Sequence, residues 1–290
     1  MRSSYLIGPH MCVEVTSIMQ IRYGFEIEIE VPVQTSLITA FDVHPDRRND
    51  IIEETPLWVT EPNTAEIYYD LFGNLCRRIL APAGLVRMQS EGVVSDSGNP
   101  DTLPPDAPDL PMNVVPSGAL PFLLASRYCE TDLLGDFAWA NFGNIQGGWA
   151  KVRAICNFVH NHLTFSYPMA RPTRTAHDAY QERLGVCRDF AHLAITLCRC
   201  LNIPARYCNG YLGDIGVPPD IAAMDFNAWF EAYLNDGNGG GRWYTFDARH
   251  NMPRIGRILL ARGRDATDIP MLFTFGPHRL NRFIVITEEA

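Results

Sequence analysis

The chain has 290 residues, 47% of them hydrophobic and 20% charged, with 33 acidic against 24 basic side chains and a formal net charge of -9. The balance is that of a folded globular protein, and the acidic excess argues against a nucleic-acid partner, whose phosphates require a basic surface. No window holds about 18 consecutive apolar residues, so neither a membrane span nor a membrane partner is expected.

The N-terminal stretch MRSSYLIGPHMCVEV carries one arginine and too short an apolar run for a secretory signal. Met11 can serve as an alternative start, leaving the first ten residues outside the fold, and a cytoplasmic location is expected. QIRYGFEIEIEVPV then alternates through Tyr23, Phe25, Ile27 and Ile29, the period of a half-buried strand. ETPLWVTEP and YYDLFGNLCRRILAPAG continue in kind, the latter with a Phe-Gly-Asn turn between two strand-like runs. From Ser97 to Phe122 seven prolines fall within 26 residues. Proline fixes φ and removes a donor, so this segment reads as an extended connector.

Helical spacing follows. In GWAKVRAICNFVHNHL the apolar positions Val152, Ile155, Cys156, Val159 and Leu163 recur at three and four. TAHDAYQERLG predicts a second helix that Gly185 ends. A third starts at Cys187, with Phe190, Ala191, Ala194, Leu197, Cys198 and Leu201 as its buried stripe. NIPARYCNGYL becomes a strand after Pro204. DFNAWFEAYL and RWYTFDARH are strands joined by NDGNGGG, a hairpin, and IGRILLARG and RFIVITEEA are further strands. The resulting class is α+β: an N-terminal antiparallel β-sandwich-like domain (1–110), a Pro-rich connector and lead-in (111–148), and a core of helices packed on an antiparallel sheet (149–290).

Eight cysteines are scattered through apolar runs, which favours reduced thiols over a disulfide framework. Cys198 and Cys200 point about 200° apart on a helix and do not share a metal. His160 and His162 close a predicted helix, where they complement its dipole. No metal site and no cofactor are expected. Cys187 differs from the other thiols: at a helix start it meets unpaired N–H groups and the positive dipole end, beside Arg188, which should lower its pKa and can stabilise an oxyanion. The bland reading is a small buried hydrophobe. A nucleophile also needs a base and a group that orients the base. If Leu234 faces Arg242 across the hairpin, Trp229 faces Asp247 and Asn227 is the diagonal neighbour of Asp247 on one sheet face.

GVCRDFAHLAITLCRCLNIPARYCNGYL, followed by NAWFEAYL and RWYTFDARHN, resembles the bacterial transglutaminase-like cysteine proteases. The likeness runs through most of the chain: DLFGNLCRRILAPAG is similar to the family's N-terminal β-domain and LLARGRDATDIP to its late strand and loop. It implies a papain-like core acting on a peptide, isopeptide or amide bond through a thioester acyl-enzyme. The partner is then a peptide or protein substrate, and hydrolysis and transamidation stay open, as does oligomeric state. Carried over residue by residue, Cys187 matches the nucleophile and Asp247 the aspartate that orients the histidine. The histidine position, just before Ala228-Trp229, holds Asn227, which has no nitrogen able to take a proton near neutral pH. Three readings follow. Another histidine takes the base's place, with His250 nearest and His177 and His192 further candidates. Cys187 works slowly without a histidine. Or the protein is a pseudoenzyme that binds a peptide or protein partner without cleaving it.

Overall fold

In the computed structural model, residues 19–219 and 224–290 are described. The readings of the N-terminal stretch, Met11 and Cys12 lie outside them.

The alternation that begins at Met19 yields the long strand β1 (Met19–Val31). Its inward side chains Ile21, Tyr23, Phe25, Ile27, Ile29 and Val31 are all buried. It is followed by β2 (Thr35–Thr39), β3 (Ile51–Val59), β4 (Thr64–Tyr69), β5 (Leu75–Ala81) and β6 (Gly84–Asp96). Asp70 forms the predicted turn between β4 and β5, its carboxylate accepting from the Phe72 and Asn74 N–H groups. Two strands from the far end of the chain, β13 (Leu272–Thr274) and β14 (Arg279–Glu289), complete these sheets in the orders β14-β1-β6-β3 and β13-β2-β5-β4. The two sheets enclose one apolar core, with Ile27, Ile29 and Met88 from the first meeting Leu37 and Ile79 from the second.

The proline-rich connector is extended, broken by short 3-10 turns at Met112–Val114 and Ser117–Leu123. The helical layer comprises α1 (Thr131–Phe142), α2 (Gly148–His162), α3 (Ala176–Glu182) and α4 (Cys187–Cys200). Between them β7 (Thr164–Phe165) pairs in parallel with β8 (Leu184–Gly185). The third sheet has the order β11-β10-β9-β12, from β9 (Ala205–Tyr211), β10 (Asn227–Asn235), β11 (Gly241–Phe246) and β12 (Ile258–Gly263), all antiparallel. Leu234 faces Arg242 across the hairpin, the register expected from the sequence.

α4 lies at the centre, against α1, α2 and α3 on its outer sides and β9 and β10 beneath. It therefore buries more than the one stripe read from its spacing: His192, Leu193, Ile195 and Thr196 are fully buried as well. A helix surrounded by other elements is apolar nearly all round. The opposite face of the third sheet contributes Tyr211, Ile258 and Leu260 to the core of the other two sheets, and Phe226, just before β10, stacks on Phe41. No helix among the described residues is long and apolar enough to cross a membrane.

Two buried histidines give this packing a pH dependence. Burial lowers His192 to about 3 and His44 to about 4. Both folded values lie below the unfolded value of about 6.5, so the stability they contribute is complete above that pH and is lost as pH falls. Urea unfolding at pH 7 and pH 5 is expected to show a loss of about 2 kcal/mol per histidine at the lower pH. Equal stability at the two pH values would show that these imidazoles reach solvent.

Candidate active site

The Gly-Val-Cys-Arg-Asp block owes its pattern to the way α4 begins. Val186 is the N-cap and has no side-chain acceptor, so Asp189, in the first turn, takes the Val186 N–H at 2.9 Å. A Cβ on Gly185 would lie 2.7 Å from the Asp189 Cβ, so only glycine fits there. The Asp189 carboxylate is fully buried, and the buried Arg174 balances it at 3.2 Å. Arg174 also donates to the Met169 carbonyl and to Glu182. Lead-in, helix start and α3 are thus tied together under Cys187.

Cys187 is 8% exposed and opens on a cleft of about 410 Å³. The cleft is lined also by Arg171, Arg188, Tyr207, Asn209, Asp225 and Phe226. The Arg188 guanidinium is held by the Arg171 carbonyl at 2.6 Å. The thiol pKa is pushed up to about 11, first by burial and then by the charge of Asp225. The N–H groups of Ala228 and Arg188 and the charge of Arg249 favour thiolate but do not outweigh these. The sequence expectation of a depressed thiol pKa therefore fails. The helix end acts as supposed, but a cysteine this deeply enclosed loses more hydration than the N–H groups return.

Asn227 is the first residue of β10, opposite Gly210 of β9. It is buried, and its carboxamide oxygen has no partner among the described residues. Asp247 follows β11 directly, where the β10–β11 ladder ends at Phe230 and Phe246, short of the predicted Trp229–Asp247 pair. The Asp247 carboxylate turns to bind the Arg249 and His250 N–H groups, the His250 ring at 2.7 Å and Arg257 at 3.0 Å. Burial opposes its charge, but the His250 hydrogen bond and Arg257 outweigh it and hold its carboxyl far below the usual carboxylate range. Arg257 is gripped in turn by Asp101 at 2.9 Å, which ties the proline-rich connector to the site.

The structure thus brings Asp247 to His250, but among the described residues no hydrogen bond joins Asn227 to either Asp247 or Cys187. Among the described residues no histidine lines the Cys187 cleft. Asp247 opens instead on a second cavity of about 240 Å³, lined also by Trp149, Arg153, Cys156 and Asn251. His192 is buried between Tyr128 and Tyr207 and accepts the Ala266 N–H. His177 meets Gln181 at the surface, 3.5 Å away. His160 and His162 bond to the carbonyls of Arg249 and Tyr180 at 2.8 Å each. Among the described residues no group of three or more His, Cys, Asp or Glu side chains is placed to hold a metal.

Two charged groups of the site escaped the sequence reading. Arg257 reaches Asp247 from ten residues away, a contact with no local signal. Asp225 lies two residues before Asn227, outside β10, so no strand period carries its placement in the cleft.

Residues 140–248, from the end of α1 to just past β11, match the transglutaminase-like superfamily. A solved protein of Cytophaga hutchinsonii, classed by inference as a cysteine protease, is 31% identical. The match covers 94% of this chain and 91% of that one, with a TM-score of 0.78. An uncharacterized protein of Mycobacterium tuberculosis is 25% identical over 217 residues, 70% of this chain and 69% of its own length. The periplasmic domain of TgpA from Pseudomonas aeruginosa is more distant, at 13% identity over 82% of this chain and 89% of that one, with a TM-score of 0.38.

Proposed function

This chain belongs to the transglutaminase-like superfamily, and on that premise we propose that it is a slow cysteine amidase or protease. Its Cys187 attacks the carbonyl carbon of a peptide, isopeptide or amide bond. Sulfur loses its proton to solvent and bonds to the carbonyl carbon, the carbonyl oxygen becomes an oxyanion, and the C–N bond then breaks to leave a thioester as the amine nitrogen takes a proton from solvent. The observation that carries the reading is the position of Cys187, first residue of α4, lining a cleft where the Arg188 and Ala228 N–H groups favour its thiolate. Such N–H groups suit an oxyanion. With Asn227 at the histidine position, no imidazole supplies the proton to the leaving amine. Turnover is confined to substrates whose leaving group departs easily, and water as acceptor makes the reaction a hydrolysis.

A second reading, a pseudoenzyme that binds a peptide without cleaving it, is favoured by the same thiol, which at neutral pH is almost wholly protonated. Alkylation by iodoacetamide examines the premise that the two readings share. Between pH 7 and pH 10 the Cys187 rate is expected to climb about tenfold per unit with no plateau, as a thiol with a pKa near 11 requires. Cys187→Ala should remove the labelled site. A plateau below pH 8 would mean that a further group activates the thiol. A cytoplasmic location is part of the proposal; the seven cysteines described, all free thiols, support it.

A further inference from the structure

We propose that Asp225 sets the specificity of the Cys187 cleft by receiving a substrate ammonium group beside the reacting sulfur. The inference rests on the cysteine-amidase reading only for what happens after binding.

Asp225 and Cys187 line the same cleft, and among the described residues Asp225 makes no ion pair. A half-enclosed carboxylate without a cation is costly, because burial removes water and nothing charged replaces it. Its own pKa is raised, by burial first; the Phe226 N–H and the charge of Arg249 oppose that only in part. The other cations at the cleft are already engaged. Arg171 pairs with Asp178 and Glu182, and Arg188 is bound to the Arg171 carbonyl and lies 3.4 Å from Asp189. Arg249 stacks on Phe165 at 3.9 Å. At the sulfur itself the charge of Asp225 counts for more than that of Arg249. Of the side-chain charges that act on the nucleophile, the negative one of Asp225 is thus the larger, although Arg171 and Arg188 also line the cleft.

A second acceptor is present. Asn209 lines the same cleft, is 8% exposed, and its carboxamide oxygen has no partner among the described residues. Tyr207, which lines the same cleft, stays protonated because burial raises its pKa beyond reach. An ammonium offers three donors, and a carboxylate with an amide oxygen answers at least two of them. The substrate class that fits is a peptide bearing a free amino group close to its reacting carbonyl.

The test uses the intact chain and needs no turnover. Cys187 is modified with two methanethiosulfonates of similar size, one aminoethyl and one sulfonatoethyl, and the rates are followed by mass. The cationic reagent is expected to react at least about tenfold faster than the anionic one, as a nearby carboxylate in a partly enclosed site requires. Asp225→Asn should bring the ratio close to one, and Asp225→Glu should keep the cationic preference. A preference that survives Asp225→Asn, or that Asp225→Glu loses as fully, overturns the assignment. Whether peptides are cleaved bears on the amidase reading alone and leaves this ratio untouched.

Discussion

Asn227→His is expected to raise the amidase rate by about 10²–10⁴-fold, the usual worth of a positioned acid–base group. The Ala228 N–H favours the Cys187 thiolate, so the backbone of β10 that carries position 227 passes close to the nucleophile. An imidazole there takes the thiol proton as sulfur attacks and returns it to the amine as the C–N bond breaks, leaving the thioester. The thiol pKa should fall from its value of about 11, because an imidazolium beside sulfur favours thiolate. The measurement is kcat/KM on an amide substrate together with the alkylation profile. A variant with both quantities unchanged would show that position 227 does not face the thiol.

The largest loss of stability is expected from the buried pair beneath α4. Arg174 and Asp189 have side chains 1% and 0% exposed and lie 3.2 Å apart. Removing Arg174 leaves the enclosed Asp189 with only Arg188, 3.4 Å away, at a cost of about 3 kcal/mol, the low end for breaking a buried pair. Arg174→Ala should therefore lower the urea midpoint severely. Asp189→Asn, which keeps an acceptor for the Val186 N–H, should cost less than Asp189→Ala. Because Asp189 fixes the turn that presents Cys187, any Asp189→Ala protein that still folds should also show altered alkylation of the thiol. An Arg174→Ala protein as stable as the parent would contradict the assignment of this pair to the frame of the site.

Much of the frame was legible in local pattern. The alternation of Tyr23, Phe25, Ile27 and Ile29 specified β1 and its buried face, and NDGNGGG specified a hairpin whose Leu234–Arg242 register stands. The helix α1 went unread, although Leu134, Ala138 and Phe142 mark one buried face at spacings of four. Gly135 inside it and the absence of a side-chain N-cap weaken its signal. Pairing of β13 and β14 with β2 and β1 joins residues more than 200 positions apart, which no local period encodes.

At the site, spacing placed Cys187 at a helix start but carried no information about how deeply the layers would enclose it. Burial, a property of the whole packing, reversed the expected direction of its pKa. Likewise Asp247 was read as a partner of the residue at 227. Its carboxylate is taken instead by His250 and Arg257, which approach from the loop after β11 and the start of β12. The departure that sequence alone made plain is Asn227, standing where the resemblance places a histidine.

Everything proposed for the cleft requires that Cys187 still act as a nucleophile in a site without an imidazole. Intact-mass analysis after incubation with an acyl ester of a good leaving group tests it most directly. One acyl group should accumulate on Cys187, bound as a thioester that hydroxylamine removes, and Cys187→Ala should gain none. A protein that stays unmodified, or that carries the acyl group equally well after Cys187→Ala, would contradict the claim.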